Sequence, residues 1–556
     1  MALTRFIYLK KGIFEGSNNQ GVNALQTPYY RVYFKDFQLT SMTYLPKTLL
    51  ASRNLGFLLS LFGVLALATS CQTKEEKRPN ILFCISDDQS YVHTSLQGTN
   101  EIKTPNLDRI AQSGIMFQNA YCNVASCSPS RASILTGKNI WELEEGGLLF
   151  GALQKKFVTF PQVLQQHGYA TGYTGKGYGP SKLEEPYQTQ PIAQGYNAIK
   201  MKAPEGISDI DYAENFKAFL AQKDSEQPFF FWYGGNEPHR GYKQGIGAEN
   251  GKDISNIQVP GFLPDSEAVR SDIADYYYEI EWFDSHLGKM IKMLEATGEL
   301  DNTIIITTAD NGMPFPRAKA TNYEYGTHMP LAIFWGNKIK SGLKIEDFIS
   351  FTDFAPTLLE VAGIEIPEGM SGNSFKNVML ANKSGQIDAK RDRVFTAFER
   401  HTYCRPDGMP YPVRTIRKGD WLYLVNFEPD RYPAGDPDFL SPHQGYVGDI
   451  DAGPSRDYIL ANKEVDSLKQ FYELAAGKRP GTELYNVKDD PYQLHNLAAQ
   501  PEYANLCKEL QTELFAYLKD TKDPRMEGLS PWDNYPYFFT GYDTKHLQPI
   551  GERDVE

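Results

Sequence analysis

The sequence predicts an α/β fold, a large and mostly parallel sheet sandwiched by helices, followed by a smaller C-terminal α+β domain built on an antiparallel sheet. Three observations carry this expectation. Short apolar runs alternate with helical patterns up to about residue 385. Two of those runs stop abruptly at carboxylates, Asp87-Asp88 and Asp310. Beyond residue 385 the pattern changes to short strands. Apolar strands separated by helices mark a parallel sheet covered on both faces, and chemistry in such sheets gathers beyond the carboxyl ends of the strands.

The elements follow in order. Asn80–Ser86 reads as a buried strand, and Pro105–Ser113 as a helix. A second helix starts at the Cys127 string, with Ser128 as its cap and Pro129 at the first helical position, where a missing N–H costs nothing. Pro161–His167 is helical, Tyr169–Thr174 strand-like, and Gln227–Tyr233 a second buried strand. A long amphipathic helix runs from about Glu267 to Ala296, with Ile273, Tyr277, Ile280, Leu287, Ile291 and Leu294 on one stripe. Asn302–Thr308 is a third buried strand. Val394–Phe398, Val413–Ile416 and Trp421–Val425 read as antiparallel strands, and Gln500–Lys519 as a closing helix.

At 556 residues the chain exceeds what one core usually holds. Its formal net charge of -13, with no basic block, argues against nucleic acid as a partner, although a locally basic pocket could hold an anionic glycan. Six cysteines (Cys71, Cys84, Cys122, Cys127, Cys404 and Cys507) form neither a disulfide framework nor a CxxC pair. Cys71 closes the apolar run Leu55–Ser70, which is short for a bilayer span and has Lys47 and Arg53 upstream. The run resembles a bacterial lipoprotein signal. That implies export to the periplasm or cell surface with a lipid anchor on Cys71 and a tether from Gln72 to Arg78; an ordinary cleaved signal peptide is the alternative. Met42 would give this signal a conventional start.

The most specific string is Cys127-Ser128-Pro129-Ser130-Arg131-Ala132-Ser133-Ile134-Leu135-Thr136-Gly137. A helix start presents unpaired N–H groups and a positive dipole end, which favour thiolates and oxyanions, and Arg131 adds a fork of donors. A buried inert cysteine is the plain alternative. The whole string resembles the signature of the type I sulfatases of the alkaline phosphatase superfamily. The resemblance implies oxidation of Cys127 to formylglycine (3-oxoalanine) by a maturase, one Ca²⁺ and a sulfated substrate.

Asp87, Asp88, Asp310 and Asn311 supply oxygen ligands from two strand ends, a set suited to a hard divalent cation and not to zinc. The resemblance implies that all four hold Ca²⁺, with an oxygen of the modified residue 127 completing the site. It also implies that Lys176 grips the sulfate and that Lys319, four residues before Tyr323-Glu324-x-Gly326, is a second catalytic lysine. Arg131, Lys176, Lys319 and the metal then stabilise charge on the sulfuryl oxygens, and His239 or Lys319 protonates the departing oxygen or nitrogen. Tyr178 stands where many family members carry a histidine that aids turnover, which leaves that task to Tyr178 or another group. His328 occupies a position where arginine is common and ranks below Lys319.

Three strings resemble the N-sulfoglucosamine sulfohydrolase branch of the family: Asp310–Pro316, Phe229–Trp232 through Pro238-His239-Arg240, and Tyr411-Pro412-x-Arg414. Glu399, Arg400, His401 and Arg405, with Tyr178, Arg240 and His328, are candidate glycan contacts; surface charges on a β-ribbon are the alternative for the first four. Glu483–Pro491 resembles the element before the last sulfatase helix. The expected protein is an exported sulfatase acting on N- or O-sulfate of heparan-type glucosamine. The alternatives are an O-sulfatase for another sulfated polysaccharide, a phosphoester hydrolase of the same superfamily, and a non-catalytic glycan-binding lipoprotein. The expected organisation is an N-terminal extension and signal (1–71), a catalytic domain (78–385), a C-terminal subdomain (386–520) and a tail (521–556).

Overall fold

Seven consecutive buried residues, Asn80–Ser86, make β1 the spine of the larger sheet. The computed structural model describes residues 77–441 and 444–539. The expected signal, its Cys71 anchor and the Met42 start lie outside the described residues. Among these residues the sheet also contains β2 (Ile115–Tyr121), β3 (Ala170–Gly175), β4 (Gln194–Gly195), β5 (Phe229–Gly234), β6 (Thr303–Ala309), β7 (His328–Trp335) and β8 (Leu343–Ser350). The strand order is β4-β3-β5-β1-β6-β7-β2-β8. Only β7 runs antiparallel to its neighbours, β6 and β2.

Side chains of a strand alternate between faces, and β1 shows what each face needs. Ile81, Phe83 and Ile85 share a core with α2 (Cys127–Thr136), α3 (Phe160–Gln166) and α6 (Phe354–Val361). Leu82 and Cys84 face the other way, against α1 (Pro105–Ser113), α4 (Tyr212–Leu220) and α5 (Glu267–Thr297). A strand buried on both sides cannot afford a polar alternation, so it reads as one apolar run. All six stripe residues expected on the long helix are buried.

Among the boundaries that differ from the sequence reading is the start of α2. The helix begins at Cys127, with Ser126 in the cap position at φ -160 and ψ 133, and the Ser126 carbonyl accepts the first helical bond from Ser130 N–H at 3.0 Å. Pro129 thus falls at the third helical position, two later than expected, and is tolerated there because the first four helical N–H groups have no intrahelical partner.

The smaller sheet is antiparallel, with strands β9 (Arg393–Phe398), β10 (Val413–Lys418), β11 (Trp421–Asn426) and β12 (Thr482–Asn486) in the order β12-β11-β10-β9. Helix α7 (Ala504–Asp520) packs on it through Leu510, Leu514 and Leu518, spaced at one face of a helix. The end of the described chain then returns toward the larger sheet. Trp532 lies against the guanidinium groups of Arg414 and Arg525, and Phe538 N–H donates to Phe150 O at 2.8 Å.

Beneath this return sits a largely buried ion cluster. Glu399 accepts from Arg414 at 2.8 Å and, through both oxygens, from Arg525 at 2.8 and 2.6 Å; Arg414 also donates to Asp523 at 2.5 Å. Removing one partner strands buried charge, so Glu399→Ala is expected to destabilise the protein by about 3–5 kcal/mol, read as a lower denaturant midpoint. An unchanged midpoint would remove the structural role assigned here to Glu399.

Candidate active site

Register brings the first carboxylates together. Ser86 pairs with Ala309, so Asp87 and Asp310 leave β1 and β6 side by side. Asp88 turns at φ 73, a left-handed conformation that Asp tolerates better than most residues. Its N–H donates to Asp310 Oδ1 at 3.0 Å, and Asn311 N–H donates to the same oxygen at 2.8 Å. One oxygen each of Asp87, Asp88 and Asp310 lie within 4.8 Å of one another. Asn311 Nδ2 donates to Asp88 Oδ1 at 2.7 Å, which leaves Asn311 Oδ1 buried and without a partner.

This cluster fits a divalent cation. Burial pushes the Asp88 carboxyl up to about 6, against the pull of Lys319. Burial and the charge on Asp87 push Asp310 up to about 6 as well, against Arg131. Asp87 is also raised by burial, but Lys176, His239 and Arg131 outweigh this and hold it well below the usual carboxylate range. Crowded carboxylates and an orphaned amide oxygen form an all-oxygen donor set of the kind that hard cations take.

Cationic groups ring the cluster. Arg131 donates from Nε to Asp310 Oδ2 at 2.8 Å and from Nη1 to the carbonyls of Lys176 and Gly177, both at 2.9 Å. Its Nη2 is buried without a hydrogen-bond partner, 3.9 Å from Asp87. Lys176 follows β3 and donates to Asp87 Oδ2. A glycine pair makes that approach possible: a Cβ on Gly175 would meet Gly234 O at 1.9 Å, and one on Gly234 would meet Lys176 O at 1.9 Å. Lys319 donates to Asp88 Oδ2 at 2.7 Å. His239 Nε2 lies 3.9 Å from the same oxygen, and burial followed by the Lys319 charge lowers its pKa.

Cys127 stands at the centre, its thiol donating to Asp87 Oδ1 at 3.4 Å and Asp88 Oδ1 at 3.8 Å. Burial, then the Asp87 charge, pushes the thiol well above its ordinary value despite the helix start and nearby lysines. As an unmodified cysteine it is therefore a poor thiolate nucleophile. An open cleft of about 550 Å³ leads to the site past Asp87, Lys176 and His239.

The structure thus gathers Cys127, Arg131, Lys176, His239, Lys319, Asp87, Asp88, Asp310 and Asn311. It also brings in two groups from the C-terminal half. His401 Nδ1 lies 2.8 Å from Ser126 Oγ, at the cap of the Cys127 helix. Asp451 Oδ2 accepts from Lys319 Nζ at 3.0 Å. Sequence reasoning missed Asp451, because it ends no strand and stands in an irregular connection whose only signal is the pair Asp449-Ile450-Asp451.

Several expected glycan contacts lie elsewhere. Tyr178 is 1% exposed and belongs to the apolar core with Phe230 and Trp232, so its ring does not face the cleft. His328 stacks between Tyr91 and Tyr121 at 3.9 and 4.6 Å and is hydrogen-bonded to Gln118 O, on a separate cleft lined by Tyr325 and Tyr492. Arg240 lines the active cleft, but its guanidinium is spent on Asp272, at 2.7 and 2.8 Å, and on Pro314 O. Arg405 clamps Asp449 at 3.0 Å, and Glu399 belongs to the buried ion cluster. Arg400 is buried against Tyr537, donates to Tyr535 O and Pro536 O, and is pushed down to about 10 by burial. None of the last three is a surface charge on a ribbon.

Fold and site together define a hydrolase whose buried carboxylates and cationic side chains gather around Cys127. The chain belongs to the sulfatase family: the sulfatase family model matches residues 79–364, and that of the N-sulphoglucosamine sulphohydrolase C-terminal region matches residues 318–419. Human N-sulphoglucosamine sulphohydrolase is 27% identical over 476 residues, covering 80% of this chain and 91% of that protein. An ulvan-active sulfatase of Formosa agariphila is 27% identical over 502 residues, covering 80% and 76%. A solved structure of a protein in complex with its substrate D-glucosamine-2-N,6-O-disulfate superposes with a TM-score of 0.59 at 24% identity, covering 82% of this chain and all of that one.

Proposed function

We propose that this sulfatase is exported and removes sulfate from a sulfated glycan, with N-sulfated or O-sulfated glucosamine of heparan type as its substrate. The observation that carries the proposal is the Cys127 thiol standing 3.4 Å from Asp87 and 3.8 Å from Asp88, inside a ring of three cationic side chains. The glucosamine assignment is supported by the similarity to human N-sulphoglucosamine sulphohydrolase and by the C-terminal match. The equal identity to an ulvan-active sulfatase favours an O-sulfatase for another sulfated polysaccharide as the second reading.

Formylglycine at position 127, made from Cys127 by a maturase, would supply a hydrated aldehyde as nucleophile where the raised thiol is inert. Asp87, Asp88, Asp310 and Asn311 would hold Ca²⁺, which supplies Lewis acidity and positive charge at the sulfuryl oxygens. The chain's own groups do the rest. Arg131, fixed by Asp310 and two carbonyls, keeps its free Nη2 for an oxyanion, and Lys176 adds a second positive charge. Lys319 and His239 stand on the other side, where a departing oxygen or nitrogen needs a proton. The protein would sit at the periplasmic or cell surface through a lipid on Cys71, with residues 78–385 as the catalytic domain and 386–520 as the subdomain that completes the site.

Sulfate release measured side by side on N-sulfated and 6-O-sulfated glucosamine tests the assignment. Release from the N-sulfated sugar is the expected result. Release from the O-sulfated sugar alone would sink the N-sulfate refinement, and release only from a seaweed polysaccharide would replace it with the second reading.

A further inference from the structure

Asp451 enters the site from the long connection between β11 and β12, and that connection is pinned on all sides. Two residues earlier, Asp449 accepts from Thr402 N–H at 2.7 Å, from its hydroxyl at 2.9 Å and from Arg405 Nη2 at 3.0 Å. Arg456 Nη1 donates to Ile450 O at 3.1 Å, and Gln444 Nε2 donates to Asp451 Oδ1 at 3.2 Å. Asp451 itself is 7% exposed. A loop held at so many points is preorganised, unlike a solvated acidic turn.

Its second oxygen takes Lys319 Nζ at 3.0 Å, while Asp88 holds the same ammonium at 2.7 Å. One atom each of Asp88, His239 and Asp451 lie within 4.8 Å of one another. Asp88 belongs to the proposed cation set, and an oxygen committed to a cation is a weaker partner for a second positive group. Asp451 is then the carboxylate that keeps Lys319 in place.

We propose that Asp451 is a positioning residue for the leaving-group side of the reaction, holding the Lys319 ammonium beside His239 and toward the departing atom. This rests on the sulfatase reading above. In that step the residue-127 hydroxyl passes its proton to a carboxylate of the cluster as its oxygen forms a bond to sulfur, and the sulfur–oxygen or sulfur–nitrogen bond to the sugar breaks. The electron pair of the broken bond stays on the sugar atom, which takes a proton from Lys319 or His239. Asp451 gives up no atom; it sets where that proton starts from.

Such a role is selective for the leaving group. A sugar alcohol or amine needs a proton to depart, whereas a nitrophenolate leaves without one. Asp451→Asn is therefore expected to lower kcat on sulfated glucosamine on the order of 100-fold, but turnover of 4-nitrophenyl sulfate by less than about tenfold. In a Lys319→Ala background the same substitution should cost little more, because the two residues act as one unit. Asp451→Glu, which keeps the charge one methylene farther out, should recover part of the sugar activity. Should the Asn chain not fold, the Glu chain carries the same two-substrate comparison. Equal losses on both substrates, or a full additional loss in the Lys319→Ala background, would overturn the proposal. A wild-type enzyme inactive on both sulfates would count instead against the sulfatase reading beneath it.

Discussion

Cys127→Ala is expected to abolish sulfate release, a loss on the order of 10⁶-fold in kcat, the scale on which removing a nucleophile ends covalent catalysis. The fold should survive, because the substitution removes one buried sulfur at the first residue of a capped helix and leaves the carboxylate cluster in place. Wild-type protein made without a maturase should be almost as inactive, since burial holds its thiol protonated and a thiol lacks the second hydroxyl that expels sulfate. Two measurements decide the matter together: turnover of a sulfated sugar, and the intact mass of the peptide that contains residue 127. Full activity in protein whose peptide keeps the cysteine mass would end the formylglycine assignment.

The second large effect is expected from metal removal. Three crowded carboxylates and an unpaired amide oxygen form a site that the folded chain holds ready and the unfolded chain does not. A cation that binds only the folded form stabilises it by about 4 kcal/mol at a thousandfold excess over its Kd. Chelation should therefore lower the melting temperature as well as stop turnover, and Ca²⁺ should restore both. Asn311→Ala removes the amide ligand, so the rise in melting temperature on adding Ca²⁺ to the chelated protein should be smaller in the variant than in the wild type. A melting temperature indifferent to both chelator and Ca²⁺ would dismiss the cation site, whatever the activity shows.

How much of this was legible before the structure depends on where each residue's partner lies in the chain. Asp87 and Asp310 could be read because apolar strands ending in carboxylates advertise the active edge of a parallel sheet. The antiparallel β7 could not, since nothing in His328–Trp335 states its direction; direction is set by pairing with β6 and β2. Glu399 and Arg405 read in sequence as glycan contacts or as surface charges. Two of their partners, Arg525 and Asp449, stand 126 and 44 residues away and help to bury them. Tyr178 misleads for a local reason. Arg131 binds the carbonyls of the two preceding residues, and the tyrosine ring then belongs to the core. Asp451 depends on a loop fixed by contacts that no spacing rule encodes.

The end of the chain sets a clock on Cys127. Tyr537 and Phe539 share an apolar cluster with Cys127, Leu149, Phe150 and Tyr403, and the cysteine is left 1% exposed. The thiol is thus covered in part by residues made about 410 positions after it, and that part of the cover is missing until they have been made. At roughly 5–20 residues per second, synthesis leaves a window of about 20 to 80 s in which residue 127 has emerged and its lid has not. The maturase proposed above would have that interval, extended by any delay before folding; afterwards the folded chain covers the thiol.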